Sequence, residues 1–137
     1  MTDTRNPSDE VIAVVTTYEP DLETLQRQFV LLAGQVKTLL IIDNGSSNAA
    51  GVAALACGHA FAQFTGVPEN RGLGWAHNEG LRRALTQGAG AVLLLDQDSL
   101  PRDGMVAALV RALREQRQAG VRVAAVGARY LGSDRGH

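Results

Sequence analysis

Three segments of this chain are apolar on both of the faces a strand presents: Val11 to Thr17 (VIAVVTT), Leu39 to Ile42 (LLII) and Ala91 to Leu95 (AVLLL). This feature constrains the fold more than any other in the sequence. A strand with one face in water alternates apolar and polar residues. A run without that alternation belongs to a strand covered on both sides, as in a parallel sheet flanked by helices.

The intervening segments carry the helical period. Pro20 stands at a natural first helical position, with Asp21 and Glu23 where the helix dipole favours acids. Leu22, Leu25, Phe29, Leu32, Ala33 and Val36 recur at helical spacing, and Gly34 supplies a stop near the end. A polar turn follows Asp43, then a short alanine-rich helix over 49–57, a weaker strand over 61–65 and a helix over 72–87. Pro101 opens a further helix with Met105, Val106, Leu109, Val110 and Leu113 on one face, Gly120 breaks it, and Val121 to Val126 makes a last strand. Strands alternating with helices over short connections predict one α/β domain with a mainly parallel sheet and flanking helices. Residues 1–10 read as a flexible tail and 132–137 as a polar end. With no helix expected after Val126, the pattern predicts the front part of a larger domain, truncated so that part of its sheet is uncovered.

Composition removes several function classes. At 137 residues, 45% hydrophobic and 20% charged, the chain has the balance of a globular domain with a core. A formal net charge of −1 gives no global field for nucleic acid or an anionic membrane. The single cysteine, Cys57, excludes an internal disulfide and a cysteine-based zinc site. The N-terminus lacks the apolar stretch of a signal peptide, and no run approaches the roughly 20 residues needed to span a bilayer. The expected address is cytoplasmic.

In open α/β sheets, ligands bind outside the carboxyl ends of the strands. Three strong strands here end in polar signatures: TTYEP (Thr16 to Pro20), DNGSS (Asp43 to Ser47) and DQDS (Asp96 to Ser99). Asp96 and Asp98 are two apart, so in an extended segment both carboxylates point to one side. Hard cations such as Mg²⁺ or Mn²⁺ favour such oxygens and use one or two carboxylates with substrate phosphates. A pair of solvated loop acids is the competing reading. Asp43 reads equally as a turn former or as a contact for sugar hydroxyls or base N–H donors, and Ser46, Ser47 and Asn48 read as turn chemistry. In PENRGLGWAHNEG, Pro68 to Gly80, the small residues Gly72, Ala76, Gly80 and Ala84 recur every four positions, which packing against the sheet explains. Asn70, Asn78 and Glu79 add polar groups that packing does not require. Cys57 with His59 is a poor metal pair, and His77 reads as a helix-surface residue. Gly45-x-Ser47-x-Ala49 falls short of a nucleophile elbow by its second glycine, with only His137 late enough for the usual triad order.

Taken in order and at their spacing, VVTTYEP, IIDNGSS, ENRGLGWAHNEG and LLLDQDS resemble the N-terminal, donor-binding half of a family 2 glycosyltransferase of the GT-A (Rossmann-like) nucleotide-diphospho-sugar transferase fold, with bacterial rhamnosyltransferases as the nearest branch. The resemblance covers 11–131. It implies that Thr17 and Tyr18 border the nucleotide base and that Asp43 hydrogen-bonds it. Glu19 falls in the same stretch, where many relatives carry asparagine. Asn70, Gly72 and Asn78 match the segment that shapes the nucleotide-sugar pocket. Asp96 approaches the ribose or sugar, and Asp98 holds the divalent metal, Mg²⁺ or Mn²⁺. The implied activity is inverting transfer of a sugar, rhamnose from dTDP-rhamnose, to a glycan or lipid-linked acceptor. The catalytic base is expected beyond residue 137, so the fragment alone is expected to be inactive. The family's acceptors make peripheral association with the inner face of the membrane the corresponding localisation. A non-catalytic nucleotide-binding or assembly module, pairing into a homo-oligomer through its uncovered sheet, is the alternative.

Overall fold

The computed structural model describes residues 10–120. The expected strand at Val121 to Val126, the tail before residue 10 and the polar end at 132–137 lie outside the described residues. Among the described residues eight elements alternate: β1 (Val11–Thr17), α1 (Leu22–Leu32), β2 (Thr38–Asp43), α2 (Ala49–Cys57), β3 (Ala62–Gly66), α3 (Leu73–Thr86), β4 (Ala91–Asp96) and α4 (Met105–Gln118). The strands form one sheet in the order β3-β2-β1-β4, and every pairing is parallel. This is the α/β arrangement of a GT-A, Rossmann-like fold.

Both central strands are buried along their whole length, and strand alternation divides their side chains between two layers. Val11, Ala13, Val15, Leu39 and Ile41 pack with Leu25, Phe29 and Leu32 of α1, Val52 and Ala56 of α2, and Val106 and Val110 of α4. Ile12, Val14, Leu40 and Ile42 face the other way, onto Ala76 and Ala84 of α3. Ala76, Gly80 and Ala84 of the small-residue stripe are therefore packing positions, whereas Gly72 is exposed at the helix start. At Gly80 a Cβ would come within 2.3 Å of Val14 Cγ1, so α3 lies against β1 only because that position has no side chain.

Two helix starts differ from the sequence expectation, and in both cases side-chain bonds decide. Pro20 precedes α1, because Asp21 acts as its N-cap and accepts from the Thr24 N–H at 2.9 Å. Val36 is buried beyond the helix, in the turn that leads to β2. Pro101 lies in the loop, and α4 begins only after Gly104. Gln35, next to the end of α1, holds that loop. Its Nε2 donates to the Arg102 carbonyl at 3.0 Å and its Oε1 accepts from the Val106 N–H at 3.2 Å.

The strand order positions the site. From β1 the chain runs to β2 and β3 on one side, then returns through α3 to lay β4 on the other side of β1. The reversal leaves a crevice where β1 and β4 end together, with Thr16 paired to Asp96.

Candidate functional site

An open cleft of about 410 Å³ occupies this crevice, lined by Thr16, Thr17, Tyr18, Asn44, Asn70, Leu73, Asp96, Gln97 and Asp98. Five of the residues singled out in the sequence meet there: Thr17 and Tyr18 from the end of β1, Asn70 from the loop before α3, and Asp96 and Asp98 from the end of β4. Asn44 and Gln97 were missed, although each directly follows a strand-end aspartate.

The acidic segment is not extended. Ser99 N–H donates to the Asp96 carbonyl at 3.1 Å, closing a tight turn over Asp96 to Ser99. The two carboxylates therefore reach the cleft from a turn and not through the alternation of a strand. Gln97, between them, continues the sheet with its side chain. Its Oε1 accepts from the Tyr18 N–H at 2.8 Å and its Nε2 donates to the Tyr18 carbonyl at 3.2 Å. The amide bonds both backbone groups of Tyr18, as a neighbouring strand would, just beyond the last paired residues, Thr16 and Asp96.

Beneath the turn is a residue with no obvious sequence signal. Gln28 is fully buried in α1, and its Nε2 donates to the Asp96 carbonyl at 2.8 Å and the Ser99 carbonyl at 2.7 Å. Two facing carbonyls fix the orientation of the amide. Its Oε1 is buried with no hydrogen-bond partner. The one hint in the sequence is that Gln28 falls at helical spacing on a face otherwise made of Leu25, Phe29 and Leu32.

Asp43 has a different environment. It is fully buried, its Oδ1 accepts from the hydroxyls of Thr17 and Ser46 at 2.7 Å each, and its Oδ2 accepts from the Ser46 N–H at 3.0 Å. A carboxylate has about four acceptor positions, so three are occupied by its own surroundings. Gly45 folds this loop with φ of +83°, and a Cβ there would come 2.6 Å from the Glu69 carbonyl carbon. That close approach brings Asn70 to the cleft. Asn44 completes the connection, accepting from the Arg71 N–H at 2.8 Å and donating to the Gly72 carbonyl at 3.2 Å.

Besides Asp43, three expected residues lie off the cleft lining: Glu19, Gly72 and Asn78. Glu19 turns toward the β2 loop, its carboxylate accepting from the Ser47 hydroxyl and N–H at 2.5 Å each, while its own N–H donates to the Ser46 hydroxyl. The Ser47 hydroxyl and then the Ser47 N–H hold its carboxyl below the ordinary glutamate value, against the opposing effects of burial and the Asp43 charge. Glu19 also has φ of +47°, an uncommon conformation for a residue with a side chain. Gly72 caps α3 with φ of +91° and gives its N–H to the Asn70 side chain at 2.7 Å. Asn78 is exposed on α3. Glu79 is occupied by Arg82 and Arg83 at 2.6 and 2.9 Å, which lower its pKa.

The donor set fits a divalent ion only in part-protein coordination. Among the described residues no group of three or more His, Cys, Asp or Glu side chains could hold one. Two exposed carboxylates beside an open cleft suit a hard cation that takes its remaining ligands from phosphate and water. Ser47 is engaged with Glu19, and His59 contacts Gln26 and the rings of Phe29 and Phe61. Neither geometry serves nucleophilic or zinc chemistry. Among the described residues no helix is long and apolar enough to cross a membrane.

The family model described as Glycosyl transferase family 2 matches residues 12–135. No curated protein matches the chain.

Proposed function

The chain belongs to glycosyl transferase family 2, and from that premise we propose that the cleft between β1 and β4 binds the nucleoside diphosphate of a sugar donor, dTDP-rhamnose. The observation that carries this reading is the meeting of Thr17, Tyr18, Asn70, Asp96 and Asp98 at the topological switch point of the sheet. The choice of rhamnose rests on the DQDS form of the acidic motif alone.

In this reading Thr17 and Tyr18 border the base, and Asp43, buried behind them, serves the base side by holding the Thr17 hydroxyl and the Ser46 loop in place. Asn70 lines the pocket for the sugar nucleotide, Gly72 starts α3 beside it, Glu19 fixes the loop beside the base, and Asp96 approaches the ribose or sugar. Asn78, exposed on α3 away from the cleft lining, takes no part. Asp98, with Asp96 beside it, is the residue that would hold Mg²⁺ or Mn²⁺. The ion's chemistry there is neutralisation of the charge on a departing diphosphate. Inverting transfer also needs a carboxylate to take the proton of the attacking acceptor hydroxyl, a role this reading gives to none of the described acids. A glycan or lipid-linked acceptor, and peripheral contact with the inner membrane face, follow from the same reading.

Calorimetric titration of the chain with dTDP and with UDP, each with and without Mn²⁺, tests it. Metal-dependent binding that prefers dTDP is the expected result. Preference for UDP would overturn the rhamnosyl assignment, and no binding of either would overturn the donor site. A second reading, a non-catalytic nucleotide-binding or assembly module that forms a homo-oligomer, draws on an apolar groove of about 360 Å³ along β4, lined by Leu81, Leu85, Val92, Leu94, Leu109 and Leu113 among others. Sedimentation as a monomer at high concentration would remove its pairing element.

A further inference from the structure

The backbone of the acidic turn is gripped from below by one side chain. Asp96 and Ser99 are its first and last residues, and both carbonyls accept from the single Nε2 of Gln28. The turn's own bond, Ser99 N–H to the Asp96 carbonyl, closes the same ring of contacts. A glutamine is an unusual residue for this place. Leu25, Phe29 and Leu32, its neighbours on the buried face of α1, are all apolar, and Gln28 carries an oxygen there that finds no partner. Buried polar groups left half-satisfied in a core are rare and destabilise it. Packing alone would favour leucine.

We propose that Gln28 is a positioning residue for the acidic turn, its buried amide fixing both ends of Asp96 to Ser99 so that the two carboxylates stay at the cleft. The proposal rests on the donor-site reading above. Gln97 holds the turn to the base-side loop at Tyr18, but its bonds are exposed and compete with water. The Gln28 amide is shielded from water, so it is the contact that makes the turn a fixed platform. Its loss leaves the α1 core packed and frees the two carbonyls, which lie at residues with access to solvent.

The test uses the full chain carrying Gln28→Leu, with Gln28→Met as a second apolar variant and Gln35→Leu as the comparison, since Gln35 holds the far end of the same loop. Two quantities are read: hydrogen exchange of the Ser99 amide, and affinity for dTDP or UDP with and without Mn²⁺. We expect both Gln28 variants to speed Ser99 exchange about tenfold or more and to lower Mn²⁺-dependent affinity by a similar factor, with metal-free affinity unchanged. Gln35→Leu should do neither. Ser99 exchange that stays at the wild-type rate overturns the proposal, as does wild-type Mn²⁺-dependent affinity in the Gln28 variants. Equal effects from Gln35→Leu would reduce Gln28 to a general loop anchor and overturn it too. Failure of the wild-type chain to bind either nucleotide is a different result: it overturns the donor-site reading itself, and this proposal with it.

Discussion

The ends of β2 and β4 are near twins in sequence and opposites in structure. Each carries an apolar run into an aspartate, follows it with an amide residue, and reaches a serine within three positions of that aspartate: Asp43-Asn44-Gly45-Ser46 and Asp96-Gln97-Asp98-Ser99. In both, the amide side chain forms two bonds to a neighbouring backbone, Asn44 to Arg71 and Gly72, Gln97 to Tyr18. The aspartates then part company. Asp43 is sealed in by Thr17 and Ser46, whereas Asp96 and Asp98 stand exposed. The difference lies in where the serine's donors go. Gly45 lets the β2 loop fold back so that both donors of Ser46 reach the Asp43 carboxylate. In the β4 turn the Ser99 N–H goes to a backbone carbonyl, which leaves the carboxylates to other ligands. A carboxylate consumed by its own loop builds structure; one that is spared is available for binding.

Removing Asp43 should break this contrast most severely. Asp43→Ala strands the Ser46 N–H and two hydroxyls in a buried setting, at about 1–3 kcal/mol for each group left unsatisfied. We expect a loss of roughly 3 kcal/mol or more in denaturant unfolding. Asn44→Ala frees the Arg71 N–H and the Gly72 carbonyl beside an exposed loop and should cost about 1–2 kcal/mol in the same measurement. Its counterpart Gln97→Ala, whose bonds are exposed, should cost about 1 kcal/mol or less. Equal losses for these two would deny that burial separates the loops. Asp98→Ala should leave stability within about 0.5 kcal/mol, as for an exposed residue without structural bonds, yet abolish Mn²⁺-dependent nucleotide binding in calorimetry. Unchanged binding would remove the functional side of the comparison.

The smallest effect concerns pH. The carboxyl of Glu19 is held below its ordinary value of 4.5 by Ser47, so on acidification the unfolded chain takes up this proton first. The contribution of Glu19 is complete above that value and is lost as pH falls through the lower folded value. Thermal unfolding from pH 6 downward should therefore decline slightly more steeply for wild type than for Glu19→Gln. Identical slopes would show that the exposed contact contributes nothing.

Much of this was legible because it is local. β1 at Val11–Thr17 and α2 at Ala49–Cys57 match the bounds read from the sequence, since an apolar run without alternation and an alanine-rich stretch are both written in adjacent residues. The late starts of α1 and α4 were not legible, because a proline reads as a helix opening until Asp21 caps one helix and Gln35 detains the loop before the other. The site was half legible. Polar residues at strand ends mark a place for ligands, but Glu19 and Asp43 were spoken for by Ser47, Ser46 and Thr17, partners up to 28 positions away.

By itself, then, the sequence determined the alternation of strands and helices, the parallel sheet and the polar rim at its carboxyl edge. Each follows from a period of two or 3.6 residues, or from the residue that interrupts it. The tertiary structure alone decided the order β3-β2-β1-β4, which makes neighbours of strand ends nearly 80 residues apart and sets Tyr18 against Gln97. It also gave Gln28 its place beneath the acidic turn. Hydrogen bonds across 68 and 71 positions carry no periodicity, and a lone glutamine on an apolar helix face acquires meaning only from what packs above it.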